Sequence, residues 1–156
     1  MNILRIVAPN KVLHPNSRTH WMKRHVAVRQ ARGWAIVAGR GQALLLNPIV
    51  AVVPLSRDKR RRDLDNILAS CKATIDGLTD AGWWVDDHMV RQWTVVEQVT
   101  AKRLDENQIL ILAVEAEDAH LLVRAVEALR GAAAVGRLEM CIASLNATDG
   151  RLAPHD

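Results

Sequence analysis

Two aspartates separated by a single residue follow directly on four cations in the segment KRRRDLDN, residues 59–66. Two close carboxylates make each other harder to ionise, so a site that keeps them together usually binds a cation. Mg²⁺ takes oxygen ligands, commonly one or two carboxylates together with substrate phosphates. Asp63 and Asp65 are therefore candidate metal ligands. Asp is also a preferred N-cap residue, and because a helix is predicted to begin here, helix capping stays open as the alternative.

A second acidic pair, Asp86 and Asp87, follows the run AGWWV just before a predicted strand. The helix predicted between the two pairs would bring the chain back beside the first one. Three or four carboxylates near a basic run suit a metal-dependent phosphodiesterase, in which the metal binds the scissile phosphate and the cations bind its neighbours. Taken alone, the second pair is also well interpreted as a solvated turn.

Lys72 lies seven residues after Asp65. This spacing is two turns of a helix, so both side chains can point to the same side. A lysine in that place could neutralise negative charge in the transition state of phosphodiester hydrolysis. An exposed helical lysine without a catalytic role is the alternative.

Positive charge is concentrated in the first half of the chain. Residues 1–72 contain fourteen Lys and Arg against three Asp, whereas residues 73–156 contain seven against fourteen acidic residues. A basic half on a globular domain is typical of a protein that binds a polyanion, most often nucleic acid. A basic surface that only keeps the protein in solution is the alternative explanation.

The composition disfavours a disordered, disulfide-rich, secreted or membrane protein. With 156 residues, of which 49% are hydrophobic, the chain is long and apolar enough to form one folded domain. Its two cysteines make neither a disulfide framework nor a metal motif. The start of the chain does not match a signal peptide, and no apolar run reaches about 18 residues. We therefore expect a soluble, cytoplasmic protein of a reducing compartment, with no membrane partner.

Hydrophobic periodicity and apolar runs predict both strands and helices along the chain. Strands are predicted at 2–8, 48–55, 90–99 and 108–114, and helices at 20–38 and 66–80. In the third strand, Trp93, Val95 and Val99 are predicted to share one face, and the fourth strand is apolar on both faces. Residues 117–156 look separable, with helices at 119–129 (ended by Gly131) and 136–145 before a polar tail.

Four segments follow one another along the chain: RRRDLDN, a helix with a lysine followed by DGL, the run AGWWVDD, and the strand WTVVE. In this order they resemble the RusA family of Holliday junction resolvases. The resemblance is firm over residues 48–115, looser over 1–47, and ends near residue 117. It implies an α/β (α+β) fold with a small mixed β-sheet packed against helices. A RusA-like endonuclease domain would occupy residues 1–116, and a C-terminal helical extension residues 117–156.

The resemblance also implies a function. The protein would be a homodimeric endodeoxyribonuclease of bacteria or phages that resolves four-way DNA junctions by paired symmetric nicks, using Mg²⁺ or Mn²⁺. Its partners would be branched DNA and a second copy of the chain, with contacts expected along the apolar stripes at 108–114 and 119–129. The metal ligands carry over to Asp63, Asp65 and Asp87, with Asp86 adjacent, and the DNA backbone would be bound by Lys59, Arg60, Arg61 and Arg62.

The catalytic lysine of the family falls four residues after the second Asp, a position occupied here by Ala69. Counting back from DGL instead places Lys72 at the lysine position, four residues before Asp76. A three-residue insertion after Asn66 accounts for the difference and nearly preserves the helical phase, because one turn is 3.6 residues. We therefore expect the catalytic group to comprise Asp63, Asp65, Asp87 and Lys72. Lys59 or an arginine is the rival source of positive charge.

Two alternative functions stay open. A non-catalytic protein would hold DNA junctions without cutting them, and an interaction module would use residues 117–156 to bind a partner. Metal-dependent nicking separates the endonuclease from both. Salt-sensitive junction binding separates the DNA-binding protein from the interaction module.

Overall fold

A computed structural model describes residues 1–9, 11–60, 62–101 and 104–147 and shows a mixed β-sheet with helices on both faces. Its strands are β1 (Asn2–Val7), β2 (Pro48–Ser56), β3 (Gln92–Val95), β4 (Val99–Thr100) and β5 (Gln108–Glu115). Its helices are α1 (Trp21–Gly39), α2 (Leu64–Ser70), α3 (Lys72–Asp80), α4 (Ala119–Ala134) and α5 (Leu138–Ala147). The predicted α/β (α+β) architecture is confirmed. Within the described ranges, no helix is both long and apolar enough to cross a membrane.

The strand order is β1–β5–β2–β3, with β4 also alongside β2. Strand β5 runs antiparallel to β1 and β2, whereas β3 and β4 run parallel to β2. Val52, near the middle of β2, pairs with Ile111 on one side and Val95 on the other. A strand with neighbours on both edges and helices on both faces has to be apolar throughout, which explains the run PIVAVVPLS.

Alternate residues of β5 enter two separate clusters. Ile109 and Ile111 face the side covered by α1, α2 and α3, while Leu110 and Leu112 face the side covered by α4 and α5. This alternation follows from the period of two of an extended chain. The prediction that the strand at 108–114 is apolar on both faces is confirmed.

Helices α4 and α5 close the second face of the sheet. Leu122, Leu129 and Ile142 pack into one buried cluster with Val53 and Leu110. The helices after residue 117 thus share a core with the sheet, while a domain boundary at 116 stays a prediction. The predicted polar tail begins at residue 146, but residues 146 and 147 belong to α5 and residues 148–156 lie outside the described residues.

The end predicted for the first of these helices is wrong. Helix α4 runs through Gly131, and the positive φ of 71° falls at Gly136 instead. A Cβ at Gly131 would meet nothing within 4 Å.

The predicted helix at 66–80 is wrong in one respect, because it divides at Cys71. The amide of Cys71 donates to both Ile67 O (3.1 Å) and Leu68 O (3.0 Å), a bifurcated bond that tightens the end of α2. Helix α3 restarts at Lys72. Cys71 is fully buried, and burial raises the pKa of its thiol to about 12, so it packs as a small apolar residue.

The predicted strand at 90–99 is also shorter than expected. The chain forms a 3₁₀ turn at Asp87–Met89, then β3, and leaves the strand conformation at 96–98 before β4. Trp93 and Val95 pack on the α1–α3 side, whereas Val99 belongs to the α4–α5 cluster. The single shared face predicted for these residues is wrong, since the interruption changes the phase of the alternation.

The apolar stripes expected to contact a second copy are used within the chain. Between residues 108 and 114, all but Gln108 are buried. On α4, the stripe at 119–129 buries Leu122, Ala125, Val126 and Leu129 against the sheet. The prediction that these stripes form intersubunit contacts is therefore wrong, because a side chain packed in the core is not free to meet a partner.

Helices α1 and α3 approach each other closely at Gly77. A Cβ at this position would lie 2.5 Å from Arg32 O and 2.7 Å from the Cβ of Ala35. Next to this contact, the guanidinium of Arg32 donates to both carboxylate oxygens of Asp80, at 2.5 and 2.8 Å. Glycine is needed here because the backbones leave no room for a side chain.

Candidate active site

Asp63 caps helix α2. Its carboxylate accepts hydrogen bonds from the amide of Asp65 (3.1 Å) and from Nδ2 of Asn66 (2.7 Å). The capping interpretation is confirmed, but it leaves other roles open. A carboxylate has about four acceptor positions, and the Asp63 side chain is exposed, so it can accept further contacts.

Asp65, Lys72 and Asp87 line one open pocket of about 470 Å³. Three elements supply them: the first turn of α2, the first residue of α3 and the first residue of the 3₁₀ turn. The side chains of Leu68, Ala69, Ile75 and Trp93 complete the pocket wall. Residues that lie up to 22 positions apart in sequence are thus brought to one place.

Lys72 holds two carboxylates. Its Nζ donates to Oδ1 of Asp76 at 2.6 Å and to Oδ2 of Asp87 at 3.1 Å. The hydrogen bond that Lys72 donates to Asp76, and then the one it donates to Asp87, raise the pKa of Lys72, while partial burial lowers it. The side chain is 62% exposed, so the ammonium is charged, oriented and accessible to a ligand.

Asp76 is a site residue that the sequence reasoning missed as a functional group. It contacts Lys72 across one turn of α3. The signal was present in the sequence, since a lysine and an aspartate four residues apart on a helix are neighbours.

The position of Asp87 depends on the two tryptophans before it. Trp83 and Trp84 are fully buried, and their indole nitrogens donate to Gly39 O (2.8 Å) and to Oγ1 of Thr79 (2.7 Å). These two anchors fix the chain just before the acidic pair. The sequence AGWWV therefore positions the carboxylates and takes no part itself in the pocket.

Asp86 contacts the imidazole of His88 and also the side chain of Asp87. Its Oδ1 accepts from Nδ1 of His88 (2.9 Å) and from the His88 amide (3.2 Å), so it caps the 3₁₀ turn. The side-chain bond from His88 and then the backbone bond lower the pKa of Asp86 to about 2. Among the described residues that line the pocket, Asp86 is absent.

The basic run before Asp63 divides into two kinds of residue. Lys59 and Arg60 are exposed. In contrast, Nη1 of Arg62 donates to Oγ of Ser56 (2.5 Å) and Oε1 of Gln98 (2.7 Å), and both terminal nitrogens contact Asp58 at 3.2 Å. Arg62 therefore fastens the loop to β2 and to the segment before β4, and Arg61 lies outside the described residues.

The carboxylates of the pocket can be compared with the ligands that the expected Mg²⁺ requires. No group of three or more His, Cys, Asp or Glu is close enough to hold a metal among the residues that the structure describes. Asp65 and Asp87 nevertheless line the same pocket with oxygen donors, and Mg²⁺ commonly binds one or two carboxylates and completes its shell with water and substrate phosphates. The residues therefore fit a metal that arrives with its substrate.

Comparison with known proteins shows partial similarity to junction endonucleases. No family model matches the chain. An uncharacterized protein of Xylella fastidiosa (strain Temecula1 / ATCC 700964) is 39% identical over 90 residues, which cover 52% of this chain and 58% of that protein.

The crossover junction endodeoxyribonuclease rusA of Enterobacteria phage 82 is 49% identical over 45 residues, which cover 29% of this chain and 35% of that enzyme. RusA of Escherichia coli (strain K12) matches with the same identity and coverage. This chain therefore spans little more than half of the first relative and about a third of the two enzymes. It shares a segment, and not its whole length, with the RusA junction endonucleases.

Proposed function

We propose that this protein is a metal-dependent endonuclease that cuts four-way DNA junctions by paired symmetric nicks. The observation that carries the proposal is the convergence of Asp65, Lys72 and Asp87 in one open pocket. The exposed Lys59 and Arg60 precede the helix that supplies Asp65. The partial similarity to two crossover junction endodeoxyribonucleases supports the choice of substrate. This combination of groups suits phosphodiester hydrolysis, because positive charge and a metal held by oxygen ligands both stabilise the anionic transition state.

Each group has a role in this proposal. Asp65 and Asp87 hold Mg²⁺, or Mn²⁺, with Asp63 at the adjacent cap position. When bound, the metal acts as a Lewis acid and activates water. Lys72, held in place by Asp76 and Asp87, stabilises the negative charge that develops on the phosphate.

Cleavage of a synthetic four-way junction with and without Mg²⁺ tests the function. Wild-type protein should nick the junction only with the metal. Asp65→Asn should abolish cleavage and keep or tighten junction binding, because it removes a metal ligand and also a charge that repels phosphate. Glu127→Gln is the control, since Glu127 is exposed on α4 on the other face of the sheet and should be close to wild type. Robust Mg²⁺-dependent cutting by Asp65→Asn contradicts the site.

A non-catalytic junction-binding protein is the second candidate. It is favoured by the absence of a three-residue metal group from the described part of the chain. In that case the wild-type protein binds junctions in a salt-sensitive manner and leaves them uncut with either metal.

A further inference from the structure

A second groove lies on the other side of α2 from the pocket of Asp65 and Asp87. It has a volume of about 520 Å³, and its wall includes Asp63. Its accessible apolar lining includes Ala8 and Pro9, which follow β1, and Ile67 on α2, all half-buried. This volume is within the range of pockets that bind small molecules, about 300–1,000 Å³.

Polar groups surround this apolar lining. Cations are contributed by Lys11, which is exposed, and by Arg60 and Arg62. Two amides, Asn66 and Asn107, and the imidazole of His14 also line the groove. A small apolar surface edged by cations and amides has the chemistry for a nucleotide, whose base is flat and apolar on its faces, polar at its edge, and linked to an anionic phosphate.

The amides are oriented by hydrogen bonds to neighbouring groups of the protein. Oδ1 of Asn107 accepts from Oγ of Ser56 (3.2 Å) and from the amide of Arg57 (3.1 Å), so its Nδ2 group is the donor for a ligand. Nδ2 of Asn66 donates to Asp63 at 2.7 Å, so its Oδ1 is the acceptor. A donor and an acceptor that are fixed in this way can hydrogen-bond to a base edge.

We propose that this groove binds one nucleotide of the DNA strand that passes through the candidate active site, with its base out of the helical stack. The proposal rests on the proposed function. Asp63 belongs to the groove and Asp65 to the catalytic pocket, so a strand that crosses the start of α2 reaches both. Lys11 and Arg60 bind the backbone, Pro9 and Ile67 contact the base, and the amides contact its edge.

This groove also gives a physical reason for preferring branched DNA. A base inside a continuous duplex is covered on both faces by its neighbours and has to be unstacked and unpaired before it can enter a pocket. The cost is smallest where stacking is already interrupted, as it is at a branch point. A groove that requires an unstacked base therefore selects junctions over duplex without reading an extended sequence.

The test uses the fluorescent base 2-aminopurine, which brightens when it leaves the stack. Asp65→Asn protein is mixed, without metal, with junctions that carry the probe at each position near the branch point. A severalfold rise in fluorescence is expected at one position, and none is expected in a continuous duplex of the same sequence.

Two groove variants in the Asp65→Asn background decide whether the rise comes from this groove. His14→Trp fills it and should abolish the rise and weaken junction affinity about tenfold, with duplex affinity unchanged. Lys11→Ala, which adds no bulk to an exposed position, should reduce the rise even if His14→Trp fails to fold. His25→Trp is the control, because His25 is exposed on α1 and does not line the groove.

The possible failures are distinguishable. Wild-type protein that cuts junctions without a rise at any probe position overturns the nucleotide groove alone. The same holds if the rise persists unchanged in His14→Trp and Lys11→Ala. Wild-type protein that neither binds nor cuts junctions overturns the proposed function, and this inference with it.

Discussion

At the scale of single residues, the feature that most affects the chemistry is the contact of Lys72 with two carboxylates. We predict that Lys72→Ala lowers the cleavage rate at least about 100-fold and leaves junction affinity within a few-fold, because the ammonium acts on charge present only in the transition state. Single-turnover cleavage and binding without metal measure the two effects. Lys59→Ala is the matched control, since Lys59 is exposed and does not line the pocket of Asp65. Near-wild-type cleavage by Lys72→Ala, with a slow Lys59→Ala, would transfer the role to Lys59.

The raised pKa of Lys72 leads to a prediction about pH. A group whose pKa is raised on folding keeps its charge-dependent contacts at low pH and loses them as the pH rises through the folded pKa. Since that pKa lies above the ordinary value of 10.5, Lys72 should cause no loss of activity between neutral pH and about pH 10. Asp76→Asn removes the largest cause of the shift, so its alkaline loss should begin at lower pH. Rate–pH profiles of both proteins test this, and identical alkaline limbs would refute it.

At the scale of elements, two arginines of the loop that follows β2 are expected to have different roles: Arg60 binds DNA, and Arg62 holds the loop in place. We predict that Arg60→Ala lowers the slope of log affinity against log salt by about 0.9, as expected for one lost phosphate contact, and leaves Tm unchanged. Arg62→Ala should also lower Tm by about 2–4 °C, because it removes the bonds to Ser56 and Gln98. Salt titrations and thermal unfolding measure these effects. An equal Tm for the two variants would mean that Arg62 does not fasten the loop.

The contact between α1 and α3 gives a second prediction at this scale. Gly77→Ala should lower the free energy of unfolding by about 1–3 kcal/mol, because its Cβ would lie 2.5 Å from the backbone oxygen of Arg32. Gly33→Ala is the matched control, since a Cβ there meets nothing within 4 Å. It should stabilise the helix by about 0.5–1 kcal/mol. Urea denaturation of both variants gives the comparison, and a stabilised Gly77→Ala would show that the two helices can separate at no cost.

At the scale of the whole molecule, paired nicks on symmetry-related strands require two sites related by a twofold axis. Helix α1 is the element that suits such a contact, because only Ala35 and Gly39 are buried in it while Trp34 and Val37 are 72% and 64% exposed. We predict a dimer whose subunits meet on this helix. Trp34→Asp should raise the dimer dissociation constant at least about tenfold, as for loss of an aromatic interface residue.

Sedimentation at micromolar concentration measures this association. Val135→Asp is the control, because Val135 is equally exposed but follows α4 on the opposite face of the sheet. Wild-type protein that is monomeric under these conditions and still makes paired nicks would contradict the dimer. A dimer that survives Trp34→Asp would place the contact elsewhere.

The sequence by itself determined the elements with a strong local signal. Continuous apolar runs located β2 and β5, and the positive-φ glycines at 41 and 82 follow the predicted ends of α1 and α3. Residue type and spacing also selected Asp63, Asp65, Asp87 and Lys72 as candidates. These features depend on a few neighbouring residues, which is why one chain without its structure was enough to predict them.

Only the tertiary structure decided which candidates meet. It brings Asp65, Lys72 and Asp87 into one pocket and turns Asp86 toward His88, although the two aspartates are adjacent in sequence. It also buries the stripes expected to be intersubunit contacts. The physical reason is that an apolar or acidic residue has the same local pattern whether its partner is another part of the chain, a metal or a second molecule, and packing over long sequence distances selects among them.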